Sequence, residues 1–208
     1  MPVSISELIR KSGISVEGIE TVRWNNRPKN SEVGIYIVST CQNPNLNCNL
    51  YSTAPIDDNV LNFWLNKVSA LQIDYELAPT MVQVRDRLTQ FWLPDENILY
   101  IGMTNSKKGI AGRVGQYYRT EIGERRPHAG GHWIKTLKIL SNLYIHYFPD
   151  KTPKQTEEKL LRTFIEQVPK KTLKNLKDKN LPLPFANLEL EKGNKKRHGI
   201  IKSKIYGQ

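Results

Sequence analysis

Apolar positions along the chain recur with two periods. Ser4 and Glu7 have the spacing of a capping box, and Ile5, Leu8 and Ile9 predict a short helix before Gly13 and Gly18 break the pattern. Residues 19–25 read as extended, and the polar cluster 25–31 as a loop. Val33-Gly34-Ile35-Tyr36-Ile37-Val38-Ser39 is β-branched and aromatic enough for a buried strand, and Asn97-Ile98-Leu99-Tyr100-Ile101-Gly102 predicts another. Between them lie an Asn-rich coil (42–49) and two helices. One, capped by Asp57 or Asp58, runs over 59–71 with Val60, Leu61, Trp64, Leu65, Val68 and Leu71 at helical spacing. The other, capped by Thr80, carries Met81, Val84, Leu88 and Phe91 and ends at Pro94. Beyond the second strand the pattern predicts helices over 110–119, 132–141 and 152–168, and a strand over 142–148. The fold class implied is α/β (α+β in stricter usage): a small, mostly antiparallel central sheet flanked by helices. An N-terminal segment (1–32) precedes a domain over 33–187 that carries a helical insertion at 40–96, and a basic tail (188–208) follows.

Composition narrows the function. No apolar run approaches the roughly 18–20 residues a membrane-crossing helix needs. The N-terminus has no charged start followed by an apolar stretch, so a cytoplasmic location is expected, and Cys41 and Cys48 read as free thiols of a reducing compartment. The net charge is +11, unevenly spread: residues 151–208 hold 15 basic and 6 acidic side chains, residues 99–138 hold 8 and 2, and residues 41–98 hold 3 and 7. Two basic zones flank an acidic middle, and nucleic acid is the partner that suits such a surface.

Three features carry candidate chemistry. Gly34-Ile35-Tyr36 and Tyr100-Ile101-Gly102 place two phenols beside glycines in strands, where a ligand or another backbone can approach closely. Arg113 and Tyr117, four apart, share a helix face. On the 152–168 helix, Leu160, Leu161, Phe164 and Val168 define an apolar stripe. Glu157 lies in its middle, Glu158 at its edge and Glu166 on the opposite side. A carboxylate on a core-facing stripe is costly unless it is ion-paired or binds a metal, and both readings stand. His128 and His132 flank Ala129-Gly130-Gly131, without a third ligand at a zinc-like spacing. They either assist a phosphate at the exposed N–H groups or cap the following helix.

Taken in order, Gly34-Ile35-Tyr36, Tyr100-Ile101-Gly102, Arg113 and the Glu157-x-x-Leu160-Leu161 helix resemble the GIY-YIG nuclease superfamily. Arg113-Val114-Gly115-Gln116-Tyr117-Tyr118 is similar to the arginine helix of the nucleotide-excision-repair incision subunit, with a tyrosine four residues after the arginine. The match covers residues 33–39 and 97–187, and Asn187 corresponds to a late asparagine of that domain. The departure is the 40–96 insertion, where the superfamily has about a hairpin.

The resemblance implies a DNA endonuclease using one Mg2+, or another divalent cation such as Mn2+, held by Glu157. Arg113 would neutralise the phosphoryl oxygens, Tyr36 would orient or deprotonate the attacking water, and Tyr100 and Tyr117 would fix geometry. A basic role for Tyr36 needs its pKa lowered by cations such as Arg113, Lys107 or Lys108. DNA contacts are expected at Lys107, Lys108, His128, His132, Asn187, Lys195, Lys196, Arg197 and His198. A restriction-type role suits a short standalone chain, and cutting both strands of a palindrome would call for two active sites, hence a homodimer. The alternative is a catalytically inactive DNA-binding module on the same scaffold.

Overall fold

The computed structural model describes residues 3–68, 70–124 and 131–202. In chain order the elements are α1 (Ile5–Lys11), β1 (Glu20–Arg23), β2 (Gly34–Ser39), α2 (Asp58–Lys67), a hairpin of β3 (Leu71–Ile73) and β4 (Glu76–Leu77), α3 (Met81–Thr89), β5 (Ile98–Thr104), α4 (Gly109–Arg119), β6 (Tyr144–Pro149), α5 (Pro153–Gln167), α6 (Lys170–Leu173), and the short strands β7 (Glu189–Glu191), β8 (Asn194–Lys195) and β9 (Ile200–Lys202). The sheet class expected from periodicity is present. Four antiparallel strands lie in the order β1-β6-β2-β5, which leaves β5 at an edge.

Strand alternation sorts the sheet into two faces. Tyr36 pairs with Gly102 and Tyr147, and Val38 with Tyr100 and Ile145. This face packs against Ile110, Val114 and Tyr117 of α4, and against the insertion through Leu61, Trp64, Val84 and Leu88. The intervening residues Ile35, Ile37, Ile101 and Phe148 face α1 and α5, meeting Leu8, Leu160, Leu161 and Phe164. All of these side chains are buried, so the two helices that carry Arg113 and Glu157 are held against opposite faces by separate apolar clusters.

Local chemistry sets the boundaries. Ser4 accepts from the Glu7 N–H at α1, Asp57 from the Asn59 and Val60 N–H groups at α2, and Thr80 forms a reciprocal capping box with Gln83 at α3. Three expectations need correction. The helix predicted to 71 ends at Lys67, and Leu71 instead opens β3, whose partner β9 comes from the C-terminal segment. The helix predicted over 132–141 is two 3₁₀ turns, His132–Thr136 and Leu140–Asn142. The backbone between them is engaged elsewhere: the Asp57 N–H donates to the Thr136 carbonyl, and the Lys138 N–H to the Pro55 carbonyl. Cys41 and Cys48 are joined by a disulfide rather than free. The hydroxyl of Thr40 donates to the Cys48 carbonyl and the Asn49 amide to the Thr40 carbonyl, so the loop after β2 returns to its start and brings the two sulfurs together.

The tail also differs from a free arm. Residues 181–187 are buried, and the described part of 188–202 packs as β7, β8 and β9. Among the described residues no helix is long and apolar enough to cross a membrane.

Candidate active site

The site forms where the edge strand β5 passes between α4 and α5. β5 has one neighbour in the sheet, so the backbone groups on its outer side need other partners. The Leu99 carbonyl accepts from the Ala186 N–H. The Asn187 side chain accepts from the Ile101 N–H at 2.9 Å and donates to the Ile101 carbonyl at 2.7 Å. One step further along, the Met103 N–H donates to the Glu157 carboxylate. Thus the strand that carries Tyr100 also positions the carboxylate of α5.

Tyr36 reaches this edge from β2 because Gly102 stands opposite it. A Cβ on Gly102 would lie 2.7 Å from the Tyr36 ring and 2.5 Å from the Tyr100 ring. The glycine is therefore needed as empty volume for two phenols whose ring centroids are 5.9 Å apart. Tyr100 donates to the Tyr36 oxygen, and so does the Arg113 guanidinium. Burial pushes the Tyr36 phenol up to about 12, against the opposing pull of Arg113. Burial, and then the neighbouring phenols, push Tyr100 and Tyr117 up as well. At Tyr36 the nearby guanidinium favours the ionised form and opposes that rise. A basic role for Tyr36 needs its pKa lowered, and here burial outweighs the guanidinium.

Glu157 is half-buried, and loss of solvation raises its carboxyl to about 7, with Arg113 and the Met103 N–H acting in the opposite direction. Arg113 thus acts on both the phenol and the carboxylate, and also donates to Gln116 at 3.4 Å. Glu158 forms an ion pair with Arg162, which also holds Glu191 of β7. Tyr117 stands behind Tyr100, with ring centroids 5.7 Å apart, and its hydroxyl donates to the Gly131 carbonyl at 2.7 Å. Before the group opens a cleft of about 800 Å³ between α5 and the 187–198 segment, whose walls include Tyr100, Met103, Glu157, Lys154 and Lys195.

The structure thus brings together Tyr36, Tyr100, Arg113 and Glu157, with Tyr117 one ring removed. The residues expected to contact DNA separate into groups. Lys107, Lys108, Lys195 and Arg197 are exposed. Lys196 is not: its ammonium donates to the Pro184 and Phe185 carbonyls at 2.9 Å each and lies over the Phe91 and Trp133 rings. His198 packs edge-on against Trp133, and burial lowers it to about 4. His132 is buried, and Asn187, in the wall of the cleft, bonds the β5 backbone. His128 lies outside the described residues.

Sequence reasoning missed Trp24, which packs edge-on against Tyr117 at 5.3 Å, and the Met103 N–H, a backbone group that no side-chain pattern can announce. The Gly131 contact had a signal in the Gly130-Gly131 pair: Gly131 has φ +75°, and a Cβ there would meet the Tyr117 hydroxyl at 2.3 Å.

As a metal site the donor set is sparse. The described residues hold no cluster of three or more His, Cys, Asp or Glu side chains. One carboxylate beside an open cleft nevertheless suits Mg2+, which keeps most of its waters and is bound through one or two carboxylates plus substrate phosphate. The chain matches no protein-family model, no curated protein and no solved structure.

Proposed function

We propose that this protein is an endonuclease that hydrolyses phosphodiester bonds in DNA, with a divalent cation held by Glu157. The observation that carries the reading is that Arg113 acts on both the Tyr36 oxygen and the Glu157 carboxylate beside an open cleft. The resemblance to GIY-YIG nucleases in the order of these residues supports the same reading.

A bound divalent cation would supply Lewis-acid polarisation of a phosphate oxygen and stabilise the leaving oxygen. The chain's own groups do the rest. Arg113, held by Gln116 and Tyr36, presents a preorganised positive charge to the phosphoryl oxygens. The Tyr36 oxygen accepts from Tyr100 and Arg113, so its proton is directed elsewhere, to orient an attacking water. At about 12 the phenol is protonated at neutral pH, and a basic role begins only when added positive charge lowers it. Tyr100 and Tyr117 fix that geometry as hydrogen-bond donors. Glu157 must be ionised to hold a cation, so cation affinity rises with pH through about 7, and binding releases a proton.

The test is plasmid cleavage with Mg2+ and with EDTA. Glu157→Gln abolishes cleavage, whereas Glu158→Ala, which removes an ion-paired side chain, preserves it. Equal cleavage in EDTA, or wild-type cleavage by Glu157→Gln, overturns the reading. DNA binding by the wild-type chain without cleavage makes it a binding module.

A further inference from the structure

Arg27, Lys108 and Arg119 are exposed, and no carboxylate forms an ion pair with them among the described residues. Arg27, in the loop before β2, and Arg119, in the last turn of α4, converge over Gly115. The position a Cβ would occupy there is 3.4 Å from an Arg119 terminal nitrogen and 3.8 Å from Arg27 Nε. Two guanidinium groups are thereby held close together, and neither forms an ion pair among the described residues. Like charges at that range repel, and a site built this way is stabilised by an anion between them.

The site is built rather than accidental. The Arg27 Nε donates to the Ala111 carbonyl at 3.3 Å, leaving the two terminal nitrogens of its fork unengaged by described residues. The loop that carries Arg27 is fastened to α4 at several points. The Ala111 N–H donates to the Asn30 carbonyl, the Ile110 N–H to the Glu32 carbonyl, and the Tyr118 hydroxyl to the Asn26 carbonyl. Trp24, at the base of the loop, packs edge-on against Tyr118 at 4.9 Å. Gly115 supplies the floor: a larger side chain would occupy the space between the two forks. Lys108 adds a third cation on this side, its stem lying along Gly112. Glu32, the carboxylate that ends the loop, pairs with none of them.

At about 100° per residue, Gly115 and Arg119 lie roughly 160° and 120° round the helix from Arg113. The pair is therefore a second anion site across α4 from the candidate active site, with the small, neutral Gly112 and Gln116 between. We infer that Arg27 and Arg119, over Gly115, bind a non-scissile backbone phosphate of the nucleic acid, remote along its backbone from the phosphate presented to Arg113. This deepens the nuclease reading and rests on it.

The experiment is fluorescence anisotropy of a short labelled DNA duplex, without divalent cation, over a series of salt concentrations. Arg27→Gln/Arg119→Gln weakens binding about tenfold at low salt, and its log–log salt slope is shallower by about 0.9, as expected when one fewer phosphate is neutralised. Gly115→Glu places a carboxylate between the forks. It weakens binding as strongly, while the melting temperature is maintained or raised because the two cations gain a partner. A merely structural role for the arginines would instead lower the melting temperature and leave the slope unchanged. Unchanged affinity and slope in the double variant, beside a wild-type chain that binds, overturns this site and leaves the nuclease reading standing. A wild-type chain that does not bind the duplex overturns both.

Discussion

Lys196 and the Arg27–Arg119 pair are cations of one chain with opposite fates. Lys196 belongs to the most basic stretch of the sequence, yet it is buried, bonded to two backbone carbonyls and covered by two aromatic rings. Its amino group ties the returning C-terminal segment to the Pro184 and Phe185 carbonyls. Arg27 and Arg119 come from stretches that attract less notice, and they stand exposed with no counter-charge among the described residues. A run of basic residues reports where charge is plentiful along the chain. Whether a given charge is available to a ligand depends on what the fold places around it, because an ammonium that must satisfy buried carbonyls cannot also meet a phosphate.

Substitution separates the two fates, most strongly at the buried lysine. Lys196→Ala takes the ammonium donor from the Phe185 carbonyl, leaves the Pro184 carbonyl with the Asn187 N–H alone and empties a buried volume, which costs about 2–4 kcal/mol. Lys195→Ala, one residue earlier and exposed, leaves the melting temperature unchanged. Thermal denaturation of the two variants measures the contrast, and equal losses would refute it.

Gly102→Ala tests the other end of the same assembly. The added methyl meets both Tyr36 and Tyr100, an overpacking cost of about 1–3 kcal/mol. Cleavage falls further than stability predicts because both phenols are displaced. Reducing the Cys41–Cys48 disulfide removes a short loop constraint and costs about 2 kcal/mol, read as a lower melting temperature in dithiothreitol. The substitution Cys41→Ser/Cys48→Ser gives the same shift, and reductant then has no further effect.

A pH slope is the subtlest of these effects. Burial lowers Lys196 to about 7 in the folded state from an unfolded value of 10.5. Between those values the unfolded chain binds more protons, so this residue makes stability rise with pH from about 7 towards 10. Lys196→Met keeps most of the side-chain volume and removes that slope. An unchanged slope in denaturant titrations at several pH values would show that the ammonium is not the titrating group.

Much of the architecture is legible in local pattern. The strands around Tyr36 and Tyr100, the capped helices at Ser4, Asp57 and Thr80, and the stripe that puts Glu157 towards the core all follow from short-range rules, and all are present. What failed was non-local. Residues 132–141 have helical spacing, but the backbone of Thr136 and Lys138 bonds to Pro55 and Asp57 from far along the chain. Leu71 fits the α2 stripe and instead pairs with Lys202 in a second sheet. Asn187 bonds both backbone groups of Ile101 on the outer side of β5, a pairing across 86 residues that no local pattern announces.

The order of residues alone settles which positions carry charge, phenol and carboxylate, and which helix face each occupies, because rotation per residue is a property of the backbone. Folding in three dimensions had to settle that Arg113 acts on both Tyr36 and Glu157, that Gly102 yields the space for two phenols, and that Lys196 is withdrawn from solvent. Those outcomes depend on contacts between segments many residues apart, and a side chain's solvation and hydrogen-bond partners are set by that enclosure.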